Sequence, residues 1–157
     1  MKYVGRLLNQ EKTFTILISD SKLPVIPYIS CQQCPACKTG RTNCCEKISV
    51  IGVHQDGGFS EYLSVPVANI LPADGIDPQA AALIEPFAIS AHAVRRAAIA
   101  PSEQVLVVGA GPIGLGAAAI AKADGAQVVV ADTSPARREH VATRLELPVS
   151  GPVSRRF

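Results

Sequence analysis

Hydrophobic and polar positions follow one rhythm before Pro72 and another after it. In the first half, apolar residues come in short runs broken by Pro, Gly and Asn, which is the pattern of a mainly β segment. Residues 25–29 read as a strand that Pro24 and Pro27 confine to an edge or an irregular position. Residues 48–53 and 59–65 read as two strands tightly joined through Asp56-Gly57-Gly58, and Ile70-Leu71 as a further short strand. Beyond Pro72 the pattern turns helical. Asp77 is placed to cap a helix with Pro78 at its first position, residues 80–98 are rich in helix formers, and Pro86 is expected to break the helix in two. Gln104–Val108 then reads as a buried strand, 109–114 as a glycine turn, 113–123 as an almost wholly apolar helix and Gln127–Ala131 as a second strand, which is a βαβ unit. Ser134 and Pro135 start a third helix through about Leu145, whose Arg137, Arg138 and Glu139 read as a solvated face. Residues 147–157 form a Pro/Ser/Gly/Arg tail in which no further strand is expected, and no internal repeat is present.

The composition of these 157 residues, 48% hydrophobic and 18% charged, suits one ordinary globular domain or two small ones and excludes a disordered chain. The net charge of +2 counts cysteine as neutral. Four thiolates on one Zn²⁺ would cancel it, and Lys38, Arg41 and Lys47 are placed to offset such a centre. No aromatic residues lie among these cations, so no nucleic-acid partner is implied. The apolar run at 14–18 is too brief for the core of a signal sequence and no small-residue cleavage site follows it. No segment is long enough to span a membrane. A reducing, cytoplasmic setting is therefore expected.

Cys31, Cys34, Cys37 and Cys45 are spaced C-x2-C-x2-C-x7-C in a loop-like stretch rich in Pro, Gly, Lys and Asn. Thiolates two residues apart can turn back onto one ion, and four of them fill the tetrahedral shell of Zn²⁺. A shell filled by protein is a structural site, in which metal binding contributes directly to folding. An iron–sulfur cluster is the second chemistry such a run can serve, although in ferredoxin motifs the fourth cysteine follows after three residues and precedes proline. Disulfides are the third, and five cysteines would leave one unpaired. Cys44 is the extra thiol, read as a bystander.

Gly109-Ala110-Gly111-Pro112-Ile113-Gly114 is a G-x-G-x-x-G sequence that follows a Val/Leu strand and opens a helix, with Asp132 at the end of the next strand. Gly109 permits the tight turn, Gly111 lets backbone approach a pyrophosphate, and Gly114 lets helix and strand pack closely. The helix start at Pro112 and Ile113 favours the anion. Asp132 is expected to take the ribose hydroxyls and to repel a 2′-phosphate, which favours NAD over NADP; Arg137 and Arg138 are the residues that could favour the phosphate.

Taken in order, PYISCQQCPACKTGRTNCCE, GVHQDGGFSEYLSVP, ALIEPFAISAHAVRRA and VLVVGAGPIGLGAAAIAKADGAQVVVAD resemble the zinc-dependent medium-chain alcohol and polyol dehydrogenases, closest to the branch acting on polyols, sugar acids or threonine. The resemblance covers about residues 24–147. It implies an α/β chain made of a partial GroES-like β domain (23–100, zinc lobe 31–45) and a partial Rossmann unit that binds NAD (101–147). Residues 1–22 and 148–157 match neither. It also implies that Arg137 joins Gly109, Gly111, Pro112, Ile113, Gly114 and Asp132 at the coenzyme. Glu85 of LIEP corresponds to the acidic ligand of the family's catalytic zinc; read by itself, it could equally cap the helix break at Pro86.

In such enzymes zinc acts as a Lewis acid on the bound alcohol, a role that needs three protein ligands and an open fourth position. The family's catalytic cysteine and Gly-His-Glu motif lie upstream of the structural lobe, and residues 1–21 contain neither Cys nor His. His54 and His92 read as turn and helix residues, and His140 lies well down the third helix, so none is expected to replace them. The resemblance therefore predicts a truncated or frameshifted dehydrogenase chain, acting on a polyol, sugar acid or other secondary alcohol when whole and inactive alone. The alternatives are a non-catalytic module that binds zinc and nucleotide, and a remnant without function. An exposed sheet edge would invite homo-oligomerisation.

Overall fold

The computed structural model describes residues Val4–Gly5, Phe14–Leu17, 24–60, 63–73 and 75–152. They fall into two compact units, Met1–Ala82 and Leu83–Phe157.

The first unit is built from short antiparallel pairings. β1 (Val4–Gly5) pairs with β2 (Phe14–Leu17), and β2 with β5 (Leu63–Val65), placing Phe14 opposite Val65 and Ile16 opposite Leu63. The apolar run near the amino terminus is thus a strand of this sheet. β3 (Tyr28–Ile29) pairs separately with β4 (Ser49–Val50). Pro24 and Pro27 have no N–H to give a ladder, so the 25–29 stretch is irregular. Val25 bridges to Ile70, the carbonyls of Pro24 and Pro27 accept from Leu71 and Ile51, and the Asn69 side chain donates to the carbonyls of Ile26 and Tyr28.

The tight hairpin expected of 48–53 and 59–65 does not form, because β4 and β5 belong to different sheets. The chain turns earlier. Gly52 takes a left-handed φ of +86°, its N–H donates to the Gln55 carbonyl, and His54 Nδ1 accepts from the Val50 N–H at 3.0 Å. A β-carbon on Gly57 would lie 3.0 Å from Gly52 Cα, so the two glycines pack backbone on backbone. Glycine reaches this φ without the steric penalty a β-carbon brings, so Gly52 lets the chain turn here.

Helix α2 (Pro78–Ala97) starts as expected: Asp77 Oδ1 accepts from the N–H groups of Gln79 and Ala80 at 2.9 and 3.4 Å. Asp77→Ala should lower stability by about 1 kcal/mol, read as a lower thermal midpoint with the spectrum of the folded state unchanged. Pro86 does not break the helix. It removes one backbone donor, but the surrounding Ala-rich sequence carries the helix through for 20 residues. Ser90, fully buried one turn on, lies with its hydroxyl 3.1 Å from the Pro86 carbonyl and 2.8 Å from that of Ile113.

In the second unit β6 (Gln104–Val108), β7 (Gln127–Ala131) and β8 (Val149–Ser150) form a parallel sheet in that order, linked by α3 (Pro112–Ala123) and α4 (Pro135–Arg144). Its core joins Val94, Ala118, Ala121, Val128, Val130, Val141 and Leu147. Strand β8 is the third strand that the tail was not expected to supply. It has two exposed residues between Pro148 and Gly151, so no apolar run marks it; its place is fixed by Val130 and Asp132, whose N–H groups donate to the carbonyls of Pro148 and Ser150.

Candidate zinc lobe and dinucleotide site

The cysteine spacing becomes a cluster through a very short framework. Helix α1 (Pro35–Lys38) starts directly after Cys34 and carries Cys37, and a 3₁₀ turn, Thr42–Cys44, returns the chain to Cys45. Gln32 adopts a left-handed φ of 59° that bends Cys31 back over Cys34. The four Sγ atoms lie within 4.8 Å of one another, and those of Cys31 and Cys37 are 4.0 Å apart. A tetrahedron with Zn–S bonds of about 2.3 Å has edges of about 3.8 Å, so the donor set fits the ion. The same separation is about twice a disulfide bond of ~2.05 Å, and all five cysteines are free thiols. Cys44 is exposed and outside the cluster, as a bystander should be.

Backbone N–H groups are aimed at the sulfurs. Cys45 Sγ accepts from Cys31 and Lys47 at 3.3 and 3.4 Å, and Cys31 Sγ from Cys34 at 3.4 Å. Such donors favour thiolate over thiol. The N–H groups of Gln33 and Cys34 bring the Cys31 thiol down to about 6, and those of Cys37 and Glu46 lower Cys34. Burial pushes Cys37 up to about 12, with the neighbouring Cys34 acting in the same direction. Four thiolates at this spacing would need a cation among them, and binding it displaces the proton of Cys37. Four protein ligands leave no position open to substrate.

In the second unit, Gly109 follows β6 with φ +103°, and Gly111 caps α3 with Pro112 at the first helical position. A β-carbon on Gly111 would meet no protein atom within 4 Å, which leaves backbone accessible to a ligand. One on Gly114 would lie 1.9 Å from the Gly109 carbonyl oxygen and 3.5 Å from Val107 Cγ1, the close helix–strand approach expected of the last fingerprint glycine. Gly116 is a further position of this kind. Its β-carbon would come 2.6 Å from the buried Ser90 hydroxyl, a contact marked in the sequence only by a small residue on an apolar helix.

Asp132, buried at the end of β7, accepts from the Ala110 N–H at 2.7 Å through Oδ2 and from the Ser134 N–H at 2.8 Å through Oδ1. Arg137 Nη1 stands 3.7 Å from Oδ2. Arg138 is not simply solvated: its guanidinium donates to the carbonyls of Asp132 and Thr133 at 2.7 and 3.0 Å. The two N–H donors, Ala110 first, hold the Asp132 carboxyl below its ordinary range, with Arg137 adding to the shift. A carboxylate whose folded value lies below the unfolded one stabilises the fold fully above about pH 4 and ceases to do so as pH falls through the folded value. Acid unfolding of wild type should therefore have a component below pH ~4 that Asp132→Asn lacks, measured as the pH dependence of the urea midpoint.

Glu85 is half-buried on α2. Among the described residues the four cysteines are the only group of three or more side chains brought together as metal ligands. His54 is engaged in its turn, His92 Nδ1 lies 3.2 Å from Arg95, and His140 is exposed on α4; none joins Glu85 in such a group.

Residues 22–75 match the alcohol dehydrogenase GroES-like domain, and residues 80–150 match the alanine dehydrogenase/PNT C-terminal domain. An L-galactonate-5-dehydrogenase of Escherichia coli K12 is 82% identical over 153 residues, 98% of this chain and 45% of that protein. An L-threonine 3-dehydrogenase of Shewanella frigidimarina is 42% identical over 139 residues, 87% of this chain and 40% of its own. The chain belongs to the zinc-type medium-chain dehydrogenases. An Escherichia coli CFT073 alcohol dehydrogenase solved with NADH has the same fold at TM-score 0.79 and 33% identity, over 91% of this chain and 46% of that one. The chain thus spans under half the length of the curated relatives it matches. The 153-residue alignment leaves at most four positions out and so extends into both end segments.

Proposed function

We propose that this chain is the structural-zinc and coenzyme-binding part of an NAD-dependent sugar-acid dehydrogenase, and that alone it holds zinc and the adenosine–pyrophosphate part of NAD without turning over substrate. The observation that carries the reading is the joint presence of a closed four-thiolate cluster and a glycine turn backed by a buried carboxylate. Asp132 holds the ribose hydroxyls and Arg137 lies beside them. The start of α3 faces the pyrophosphate, with Gly111 allowing its approach. Identity of 82% to an L-galactonate-5-dehydrogenase supports an aldonate as the alcohol, oxidised at a secondary carbon as its hydride passes to the nicotinamide and its hydroxyl proton to solvent.

Glu85 is the candidate for the catalytic metal in the whole enzyme. It stands without a cluster of further ligands among the described residues, which supports inactivity of this chain alone. No helix is long and apolar enough to cross a membrane. Free thiols kept for zinc support a cytoplasmic setting. β6 ends the parallel sheet of the described residues, with Leu106 and Val108 exposed on one face, and such an edge supports self-association.

The test is zinc per chain by atomic absorption, NADH binding by fluorescence, and NAD⁺ reduction with L-galactonate and a polyol panel. One zinc, saturable NADH binding and no turnover are expected. Turnover abolished by Glu85→Ala, with a second zinc, would overturn the claim of inactivity; absence of NADH binding would overturn the coenzyme reading.

A further inference from the structure

Ser90 is fully buried on α2, and its hydroxyl is shared between two carbonyls. That of Pro86, at 3.1 Å, belongs to its own helix; that of Ile113, at 2.8 Å and 23 positions away in sequence, belongs to the first turn of α3. A hydroxyl has one proton, and the shorter of the two contacts is the one that ties helix to helix. Each carbonyl also has the N–H four residues on as its helical partner, so neither helix needs the hydroxyl for its own ladder. Opposite it stands Gly116, whose missing side chain permits the approach. A β-carbon there would lie 2.6 Å from Ser90 Oγ, 3.0 Å from Ser90 Cβ and 3.9 Å from Phe87 Cδ2. Val94, one turn beyond Ser90 on the same face of α2, is buried in one core with Ala118 and Ala121 of α3. The two helices thus meet through apolar packing at Val94 and through a polar bond at Ser90, beside the end of α3 that follows the glycine turn. Glu85 precedes Ser90 on α2 by five residues, about 7.5 Å along the axis at 1.5 Å per residue.

We propose that Ser90 is a positioning residue whose hydroxyl fixes the first turn of α3, where the coenzyme's pyrophosphate is held, against α2, which carries Glu85. The inference rests on the coenzyme reading above and deepens it. Apolar burial has no preferred direction, so the core at Val94 holds the helices together without by itself fixing the register of one on the other. A hydrogen bond constrains both distance and angle. Made at the Ile113 carbonyl, it sets the height of the first turn and with it the place of the N–H groups that the anion needs. In the whole enzyme the same bond keeps the coenzyme's anchor and the candidate metal ligand on one rigid pair of helices, the fixed geometry that transfer between bound partners requires.

The experiment measures NADH affinity and the urea midpoint for the zinc-loaded full chain and for its Ser90→Ala, Val94→Ala, Gly116→Ala and Ser90→Gly/Gly116→Ala variants. Ser90→Ala leaves both carbonyls their helical partners and should fold. It binds NADH about fivefold more weakly than wild type, the scale of one hydrogen bond. Val94→Ala removes two buried methyl groups from the same pair of helices, so it lowers the urea midpoint further and keeps the wild-type NADH affinity. Gly116→Ala pushes α3 off Ser90 and loses about tenfold in affinity; Ser90→Gly in the same chain takes away the atoms in its path and restores binding to the level of Ser90→Ala. The Leu115 amide, which donates to the Gly111 carbonyl at 2.8 Å in that first turn, loses protection from hydrogen exchange in Ser90→Ala. Wild-type NADH affinity in Ser90→Ala, an equal loss of affinity in Val94→Ala, or no recovery in the double variant would each overturn the proposal. Should wild type bind no NADH, the coenzyme reading fails, while unchanged Leu115 protection in Ser90→Ala still overturns the tether. If Ser90→Ala does not fold, Gly116→Ala with and without Ser90→Gly carries the comparison.

Discussion

Chelating the zinc should unfold residues 31–45 and leave the parallel sheet of the second unit in place. The lobe has little else to hold it. Its buried cluster consists of Cys34, Cys37 and Cys45, with Cys31, Ala36 and Ile48 packed against them. Its elements are a four-residue helix and two-residue strands, each far below the length at which a helix or hairpin stands alone in water. Structural zinc bound by such ligands contributes on the order of 10 kcal/mol, so its loss exceeds what these contacts supply. Protons compete with the metal. Cys37, raised to about 12, keeps its proton at neutral pH unless zinc displaces it, so zinc affinity should fall as pH falls. Amide exchange with and without chelator checks the first point: protection lost over 31–45 and kept in β6 and β7 is expected. Competition with a chromophoric chelator at pH 8 and pH 6 checks the second, with release at the lower pH. Protected lobe amides in the zinc-free protein would sink the structural role.

The parts that sequence makes legible are those whose chemistry is local. The βαβ unit announces itself because β6 and β7 are five-residue apolar runs, α3 is apolar almost throughout, and the turn between them is a glycine fingerprint with Asp132 in place. Cysteine spacing is equally local, and the four thiols converge as their separations imply. What escapes depends on partners distant in sequence. Strand β8 is defined by hydrogen bonds to β7 rather than by its own residues, and β2 finds its partner about fifty residues away in β5. Pro86 looks like a break because its local cost is visible, whereas the helix around it and the Ser90 contact to α3 are visible only once folded. Arg138 looks like a surface charge because nothing nearby in sequence shows that the carbonyls of Asp132 and Thr133 lie within its reach.

Three glycine-to-alanine changes in one turn should separate folding from coenzyme binding. Gly114→Ala carries the largest cost. Its new methyl would lie 1.9 Å from the Gly109 carbonyl oxygen, and a backbone atom cannot swing aside as a side-chain tip can. Either α3 moves off β6 or the turn opens. Overpacking of this kind costs about 1–3 kcal/mol, and the displaced helix start should reduce NADH affinity by more than about tenfold. Gly109→Ala meets nothing within 4 Å, but its φ of +103° lies in the region that β-carbons disfavour, so it should lose about 1–2 kcal/mol through the backbone alone. Gly111→Ala differs from both. Its φ is −77° and its methyl would meet open space, so about 0.5–1 kcal/mol of capping preference is at stake. Yet that space is where backbone must approach the pyrophosphate, so the variant should lose the least stability of the three and still lose NADH binding. The loss of stability should thus be largest at Gly114, then Gly109, then Gly111, while Gly111→Ala loses binding with the least loss of stability. If Gly111→Ala bound NADH as wild type does, the coenzyme would not lie against this turn, whatever the other two variants did to folding.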